Sequence, residues 1–354
     1  MKILMLGDIR PAHLKRWRDY FSDTGHEVLV ASLESDPEDT DYIRIEMSVP
    51  IRPFKYYMAK GQVKKIIADF KPDIVNAHFA TNYGMLAVAT GFSPVAVSLW
   101  GSDVLISPGK SPLHRARVRW VLRNCQLVTS DSQYMSGVAS EMSGADVNVI
   151  TQPMGVPRDI INELEGTSIR RPELTTIISC RRLEPLYNVS LLIDALFLMG
   201  INQKKLQCLI SGDGSQRGEL ESRVKKKGVR NVAFFGWLKG EEYLRFLATG
   251  DIYVSCARSD STSVTLLESM AAGLFPVVAD IPGNREWIAD GDNGLLFAPG
   301  DVDALKDALQ QAIESPELRQ RAVGINRGLV RERGLWEDNM AEIERAFQEL
   351  VETT

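Results

Sequence analysis

Strand-like and helix-like patterns alternate along this chain, and the alternation runs through twice. Short apolar runs bounded by turn residues fall at 2–6, 28–31, 73–77, 95–99, 127–130 and 147–150. Amphipathic stretches with helical spacing separate them, among them 14–23, 58–70 and 115–124. Strands alternating with helices build βαβ units, whose strands run parallel, so an α/β fold on parallel sheets is expected. The stretch Q-P-M-G-V-P, ending at Pro157, interrupts the pattern, because prolines bracketing a glycine suit a linker. The alternation restarts at 175–179 and continues through 206–210, 232–235, 252–254, 275–279 and 295–297. A last helical pattern, 336–351, follows the break R-E-R-G. With 354 residues there is room for two cores. The expected division is 1–155, 156–335 and a terminal helix in 336–354.

Composition then narrows the chemistry. A net charge of −5 argues against a general nucleic-acid binder, and local arginines and helix ends would have to grip any anionic substrate. No apolar run approaches the ~18 residues of a membrane span. The start M-K-I-L-M-L-G-D reads as a first strand and not as a signal peptide, so a cytoplasmic protein is expected. The four cysteines, Cys125, Cys180, Cys208 and Cys256, include no C-x-x-C pair and read as buried thiols. All four histidines, His13, His26, His78 and His114, lie in the first half, so the second half lacks the commonest metal ligand. Asp301 and Asp303 form a D-x-D, but P-G-D-V-D-A-L is also how a helix begins, with acids in its first turn. No metal site is expected.

The richest stretch is R-S-D-S-T-S-V-T-L-L-E-S-M-A-A-G at 258–273. An apolar run at 251–254 leads into it, and an amphipathic helix must follow. Ser261, Thr262, Ser263 and Thr265 are all competent N-caps, so backbone N–H groups gather at this turn. Unpaired N–H donors and the helix dipole together attract anions. Glu268 lies about one turn in. Thr265 and Glu268 also fit a capping box, which needs no ligand, and both readings stand on the sequence.

The stretch resembles the donor-site motif of glycosyltransferase family 4. These are retaining sugar transferases with two Rossmann-like parallel-sheet domains facing across a cleft (GT-B), and a C-terminal helix that returns to the N-terminal domain. The motif is Glu, seven residues, Glu, a small-residue helix, Gly and a Pro-containing strand; here Asp260 takes the first acid and Glu268 the second. The resemblance implies that Glu268 hydrogen-bonds the ribose hydroxyls of a sugar nucleotide. Asp260 and the amides of Ser261, Thr262, Ser263 and Val264 would hold the sugar and its diphosphate. In S-C-R-R-L-E-P-L-Y-N, Arg182 and Pro185 match the family's Gly-Arg-Leu and Pro, while Tyr187 takes the place of a Lys. Arg181 or Arg258 is left to supply the second cation. Gly212, Asp213 and Gly214 open a near G-x-G-x-x-G, but Arg217 stands where the last glycine belongs and no acid ends the next strand. It reads as the nucleotide-side turn of a transferase, not as a dinucleotide site. The segments D-I-P-G-N-R-E-W-I and G-D-N-G-L-L-F match the family's donor-domain tail and read as structural.

Ligands of open parallel sheets bind beyond the C-terminal ends of the strands, and the first-half candidates fall there too. Gly7, Asp8, Arg10 and His13 follow the first strand, where a plain turn with Pro11 starting a helix explains them equally well. His78 ends the third strand, and W-G-S-D-V follows the fourth, with Trp100 where many relatives carry His and Asp103 as a hydrogen-bonding group. The expected catalytic set is therefore Asp260, Glu268, Arg182 and His78. The expected substrate contacts are Gly7, His13, Asp103, Arg181, Gly212, Asp213, Gly214, Arg258 and 261–264.

The resemblance implies metal-independent, retaining transfer of a hexosyl unit from a sugar nucleotide, UDP-linked in preference to GDP-linked, to a glycan or lipid-linked acceptor. The sugar nucleotide is then a substrate, and no cofactor is implied. Two basic segments, K-Y-Y-M-A-K-G-Q-V-K-K and H-R-A-R-V-R-W-V-L-R, read either as solvated helix faces or as contacts with the anionic inner face of a membrane. In the second, Arg115, Arg119 and Arg123 recur at intervals of four. A sugar-nucleotide epimerase of the same architecture and a non-catalytic nucleotide-binding scaffold stand as alternatives.

Overall fold

The computed structural model describes residues 1–46, 59–144, 147–200 and 205–354. It divides into two compact units, Met1–Gln152 with Met340–Thr354, and Pro153–Asn339. Each unit is built on one parallel sheet covered by helices, as the alternation dictates.

The first sheet contains β1 Lys2–Leu6, β2 Glu27–Ser32, β3 Ile43–Arg44, β4 Ile74–His78, β5 Val95–Ser98, β6 Leu127–Ser130 and β7 Val149–Thr151. Their order is β3-β2-β1-β4-β5-β6-β7. β4, β5 and β6 are buried along their whole length, which is why they lack the in-and-out alternation of a half-exposed strand. β3 has no counterpart among the expected strands, because two exposed residues carry no hydrophobic pattern. The expected helix at 58–70 is seen as Lys60–Phe70. Its first residue, like the opening residues of the K-Y-Y-M-A-K segment, lies outside the described residues.

The second sheet contains β8 Thr175–Cys180, β9 Leu206–Ser211, β10 Val232–Gly236, β11 Ile252–Ser255, β12 Phe275–Ala279 and β13 Leu295–Phe297, ordered β10-β9-β8-β11-β12-β13. Period-two alternation sends neighbouring residues to opposite faces. Ile177, Val254 and Val277 join the apolar layer on one face, while Ile178, Tyr253 and Val278 join the layer on the other.

In each sheet the strand order reverses once. β4 lies on the opposite side of β1 from β2, and β11 lies on the opposite side of β8 from β9. Connections from the two strands at such a point leave in opposite directions and open a crevice at their C-terminal ends. The segments after β1 and β4, and after β8 and β11, therefore define where each unit can bind.

The terminal helix is Trp336–Thr353. Its start belongs with the second unit, where the Trp336 amide donates to the Val156 carbonyl at 3.0 Å and Asn339 Nδ2 donates to the Pro153 carbonyl at 2.9 Å. These bonds place 153–156 in the second unit as well. From Met340 the helix is part of the first unit. There Phe347 stacks on Phe21 at 5.5 Å, and Glu344 accepts from the Tyr20 hydroxyl at 3.0 Å and pairs with His26 Nε2 at 2.7 Å. The return of this helix to the N-terminal unit is the one the family resemblance implies.

Candidate active site

At the end of β8 two consecutive arginines part company. Arg181 turns inward with its side chain 8% exposed and pairs with Asp260 at 2.5 Å. It also donates to Thr265 Oγ1 at 3.0 Å and to Ser263 Oγ, and its guanidinium lies 4.5 Å from the centre of the Tyr187 ring. Burial works against the charge, but the Asp260 carboxylate outweighs it and holds the guanidinium above its usual basicity. A cation does stand over Tyr187, then, but it comes from position 181 and is already matched by an acid. Arg182 is exposed and makes no hydrogen bond or ion pair among the described residues. The structure does not gather it with Asp260; Arg181 takes that place.

The turn after β11 leads into the helix Val264–Ala271. Ser263 is its N-cap, accepting from the Leu266 amide at 3.4 Å. The alternative reading of Thr265 and Glu268 as a capping box is therefore not what forms. Thr265 instead shares a 2.9 Å hydrogen bond with the Tyr253 hydroxyl, and Glu268 accepts from the Tyr243 hydroxyl at 2.7 Å. Burial and the neighbouring carboxylate keep the Tyr243 hydroxyl well above its usual pKa, so it remains a donor at ordinary pH.

Two glycines let the surrounding turns press backbone on backbone. A Cβ at Gly212, whose φ is +133°, would stand 2.1 Å from the Arg181 carbonyl oxygen, and one at Gly283 would stand 1.9 Å from that of Ser261. Ser261, Thr262 and Ser263 are buried at this junction, while Val264 is half-buried. Gly214 packs on the Leu183 carbonyl. Asp213 is exposed and serves its own turn, accepting from the Gly214 amide at 2.8 Å and pairing with Arg217 at 3.0 Å. Arg258 is exposed, with its amide donating to the Leu186 carbonyl at 2.9 Å. Asp301 caps its helix, accepting from the Asp303 and Ala304 amides at 3.0 Å each, so the D-x-D is a helix start. Among the described residues no group of three or more His, Cys, Asp or Glu side chains is placed to hold a metal ion.

In the first unit, Gly7 ends β1 against Leu14 and His78. His78 is 2% exposed, and its Nδ1 accepts from Trp100 Nε1–H at 3.2 Å. A neutral imidazole that accepts at one nitrogen carries its proton on the other, so the His78 proton is on Nε2. Burial, with His13 nearby, pushes the pKa of His78 down to about 3. His78 is therefore a neutral N–H donor and not a proton acceptor, which limits the catalytic role expected of it. His13 is exposed and stacks on Trp100 at 4.8 Å. Asp103 is 1% exposed and accepts from the Ala80 amide at 2.8 Å and the Trp100 amide at 3.2 Å. It ties the turn after β4 to the turn after β5 and does not face outward.

The depressed His78 pKa predicts a pH dependence of stability. The folded state keeps His78 neutral, whereas the unfolded chain protonates it near its usual 6.5. Its contribution is therefore fully present above pH 6.5 and is lost as pH falls toward 3, at up to ~1.4 kcal/mol per pH unit. His78→Gln should flatten the acid limb of a denaturation-against-pH profile; an unchanged slope between pH 6.5 and 4 would count against the assignment.

Tyr243, Tyr253 and Thr265 were not among the expected site residues. No motif marks the two tyrosines, Tyr243 reaching Glu268 from a separate helix, Gly240–Ala248, and Thr265 stands out in the sequence only as a cap candidate. Only the fold brings them in.

Comparison with known proteins adds the family. The model described as Glycosyl transferases group 1 matches residues 166–327, and that described as Glycosyl transferase 4-like matches 2–132. EpsD of Bacillus subtilis is 25% identical over 325 residues, covering 84% of this chain and 83% of that one. The phosphatidyl-myo-inositol mannosyltransferase of Mycobacterium leprae is 31% identical over 216 residues, 59% of this chain and 55% of its own length. Among solved structures, Anabaena Alr3699/HepE in complex with UDP-glucose is similar at a TM-score of 0.79 and 18% identity, over 99% of this chain and 100% of that one. Such an identity speaks for the fold alone. With both halves matched, and with two doubly wound parallel-sheet domains carrying the donor motif after β11, the chain belongs to the glycosyltransferases of family 4 and is an enzyme of that class.

Proposed function

We propose that this glycosyltransferase moves a hexosyl unit from a UDP-hexose to a hydroxyl of a glycan or glycolipid, with retained configuration and without a metal ion. The observation that carries the reading is the arrangement after β8 and β11. The Ser263-capped helix start, the Glu268 carboxylate held by Tyr243 and the uncommitted Arg182 all belong to adjacent strand ends. A departing diphosphate develops negative charge, and preorganised donors stabilise it best. Helix-start amides and the planar fork of Arg182 supply that positive field, which is the role a divalent cation would otherwise take. A carboxylate such as Glu268 suits the paired hydroxyls of a ribose. UDP-glucose is a ligand of the Anabaena protein, and UDP is the nucleotide carried over here.

In the reaction, the anomeric carbon–oxygen bond to the diphosphate breaks while the acceptor oxygen bonds the same carbon on the same face. The acceptor proton passes to the departing phosphate oxygen. Arg181 positions Asp260 at the sugar. We place the reaction in the cytoplasm, with lipid-linked acceptors met at the inner face of the membrane. Among the described residues no helix is long and apolar enough to cross a membrane.

Incubation with UDP-glucose, UDP-galactose, UDP-N-acetylglucosamine and GDP-mannose, with and without saccharide acceptors, tests the reading. Acceptor-dependent release of UDP supports it. Isomerised donor without acceptor would mark an epimerase, and binding without turnover a scaffold; either removes the proposal.

A further inference from the structure

From Val104 to Ser130 the chain contains no Asp or Glu, although it has 46 acidic residues and a net charge of −5. The same stretch carries Lys110, Arg115, Arg117, Arg119 and Arg123. Its middle folds as the helix Pro112–Asn124, whose Val118, Val121 and Leu122 pack into the core of the first unit. The opposite face is not the polar one such a helix ordinarily turns to solvent. Leu113 is 58% exposed and Trp120 is 41% exposed. Seven residues make nearly two full turns, so the two side chains lie in one line, with the exposed Ala116 between them. Helical geometry places Arg115, Arg119 and Arg123 along one flank of this ridge and Arg117 along the other.

An apolar ridge carrying Trp and flanked by arginines is what a helix lying in a bilayer interface requires. The apolar side chains enter the acyl boundary, the indole sits at headgroup level, and the guanidinium groups reach the lipid phosphates. A folded acidic protein partner would leave the Leu113–Trp120 ridge unexplained, and a nucleic-acid groove would make no use of Leu113. We infer that the exposed face of helix Pro112–Asn124 docks this enzyme on a bilayer rich in anionic lipid, with Leu113 and Trp120 inserted and the arginines on the headgroups. The partner follows the lipid-linked acceptor reading above and gives it a surface, but the inference can be tested without any turnover.

The full chain is sedimented with vesicles of phosphatidylcholine containing about one third phosphatidylglycerol, and with vesicles of phosphatidylcholine alone, at low and high salt. Binding to the anionic vesicles is expected, weakening as salt rises. Arg115→Glu with Arg119→Glu, both exposed positions, should reduce the partition at least tenfold. Leu113→Ser with Trp120→Ser should reduce it severalfold at every salt concentration. The difference in fluorescence between wild type and Trp120→Phe should move to shorter wavelength on adding anionic vesicles. Wild type that stays in the supernatant overturns the inference, as do variants that bind like wild type. Retention on heparin without vesicle binding also overturns it, since the face would then be a general polyanion site. Vesicle binding with no UDP-hexose turnover leaves this surface standing and removes the proposed function; turnover without vesicle binding does the reverse.

Discussion

Arg181→Met should lose about 3 kcal/mol of unfolding free energy, whereas Arg182→Met should melt with the wild type and lose transfer. The two side chains are adjacent in sequence but occupy opposite physical situations. Arg181 is buried, and its removal strands the Asp260 carboxylate, while Thr265 keeps its bond with the Tyr253 hydroxyl and Ser263 its bond from the Leu266 amide. Breaking one partner of a buried pair costs several kcal/mol because the remaining charge keeps its desolvation. Asp260 is 22% exposed, which puts the expected loss at the lower end of that range. Arg182 has no such partner to strand. Its charge is available to the diphosphate, where losing a preorganised cation lowers kcat by about 10²–10³. Urea denaturation of both variants, beside kcat and KM for the sugar nucleotide, separates the two roles. Equal stability of all three proteins, or wild-type turnover by Arg182→Met, would sink the division of labour.

The two arginines also mark the limit of what the sequence can reveal. Apolar runs made both parallel sheets legible, since a strand buried on both faces leaves a continuous hydrophobic signature, as in β12. Two-residue β3 left none. The place of the site was legible as well, because strand order puts the ends of β8 and β11 side by side and both ends carry polar motifs. What could not be read was direction. At a strand end, side chains of consecutive residues leave on opposite sides, so R-R says that one arginine is inside without saying which. The helix start posed the same problem. Ser261, Thr262, Ser263 and Thr265 all qualify as caps, and a shift of the cap from Thr265 to Ser263 releases Glu268 from a capping box to Tyr243. In the first unit, the tautomer of His78 depends on an indole 22 residues away, and no local pattern records that contact.

Glu268 provides the second large effect. If its carboxylate takes the ribose hydroxyls, Glu268→Ala should lower kcat/KM by about a hundredfold, since each hydrogen bond to a charged group is worth roughly 1.5–3 kcal/mol. Ribose lies away from the bond being broken, so its contacts are the same in the ground and transition states. The loss should therefore fall mainly on KM, with the Kd for UDP weakened in parallel and kcat changed little. This distinguishes Glu268 from Arg182, whose loss should fall on kcat. Tyr243→Phe removes the hydroxyl that orients the carboxylate and should weaken UDP binding by about three- to tenfold, the weight of one hydrogen bond. Because burial and Glu268 hold that hydroxyl well above its usual pKa, its contribution should be level across the neutral range. Calorimetric titration of UDP into the two variants tests the pair together. A Kd for UDP that Glu268→Ala leaves unmoved would place the nucleotide elsewhere in this unit, and the carboxylate would then be only the acceptor for Tyr243.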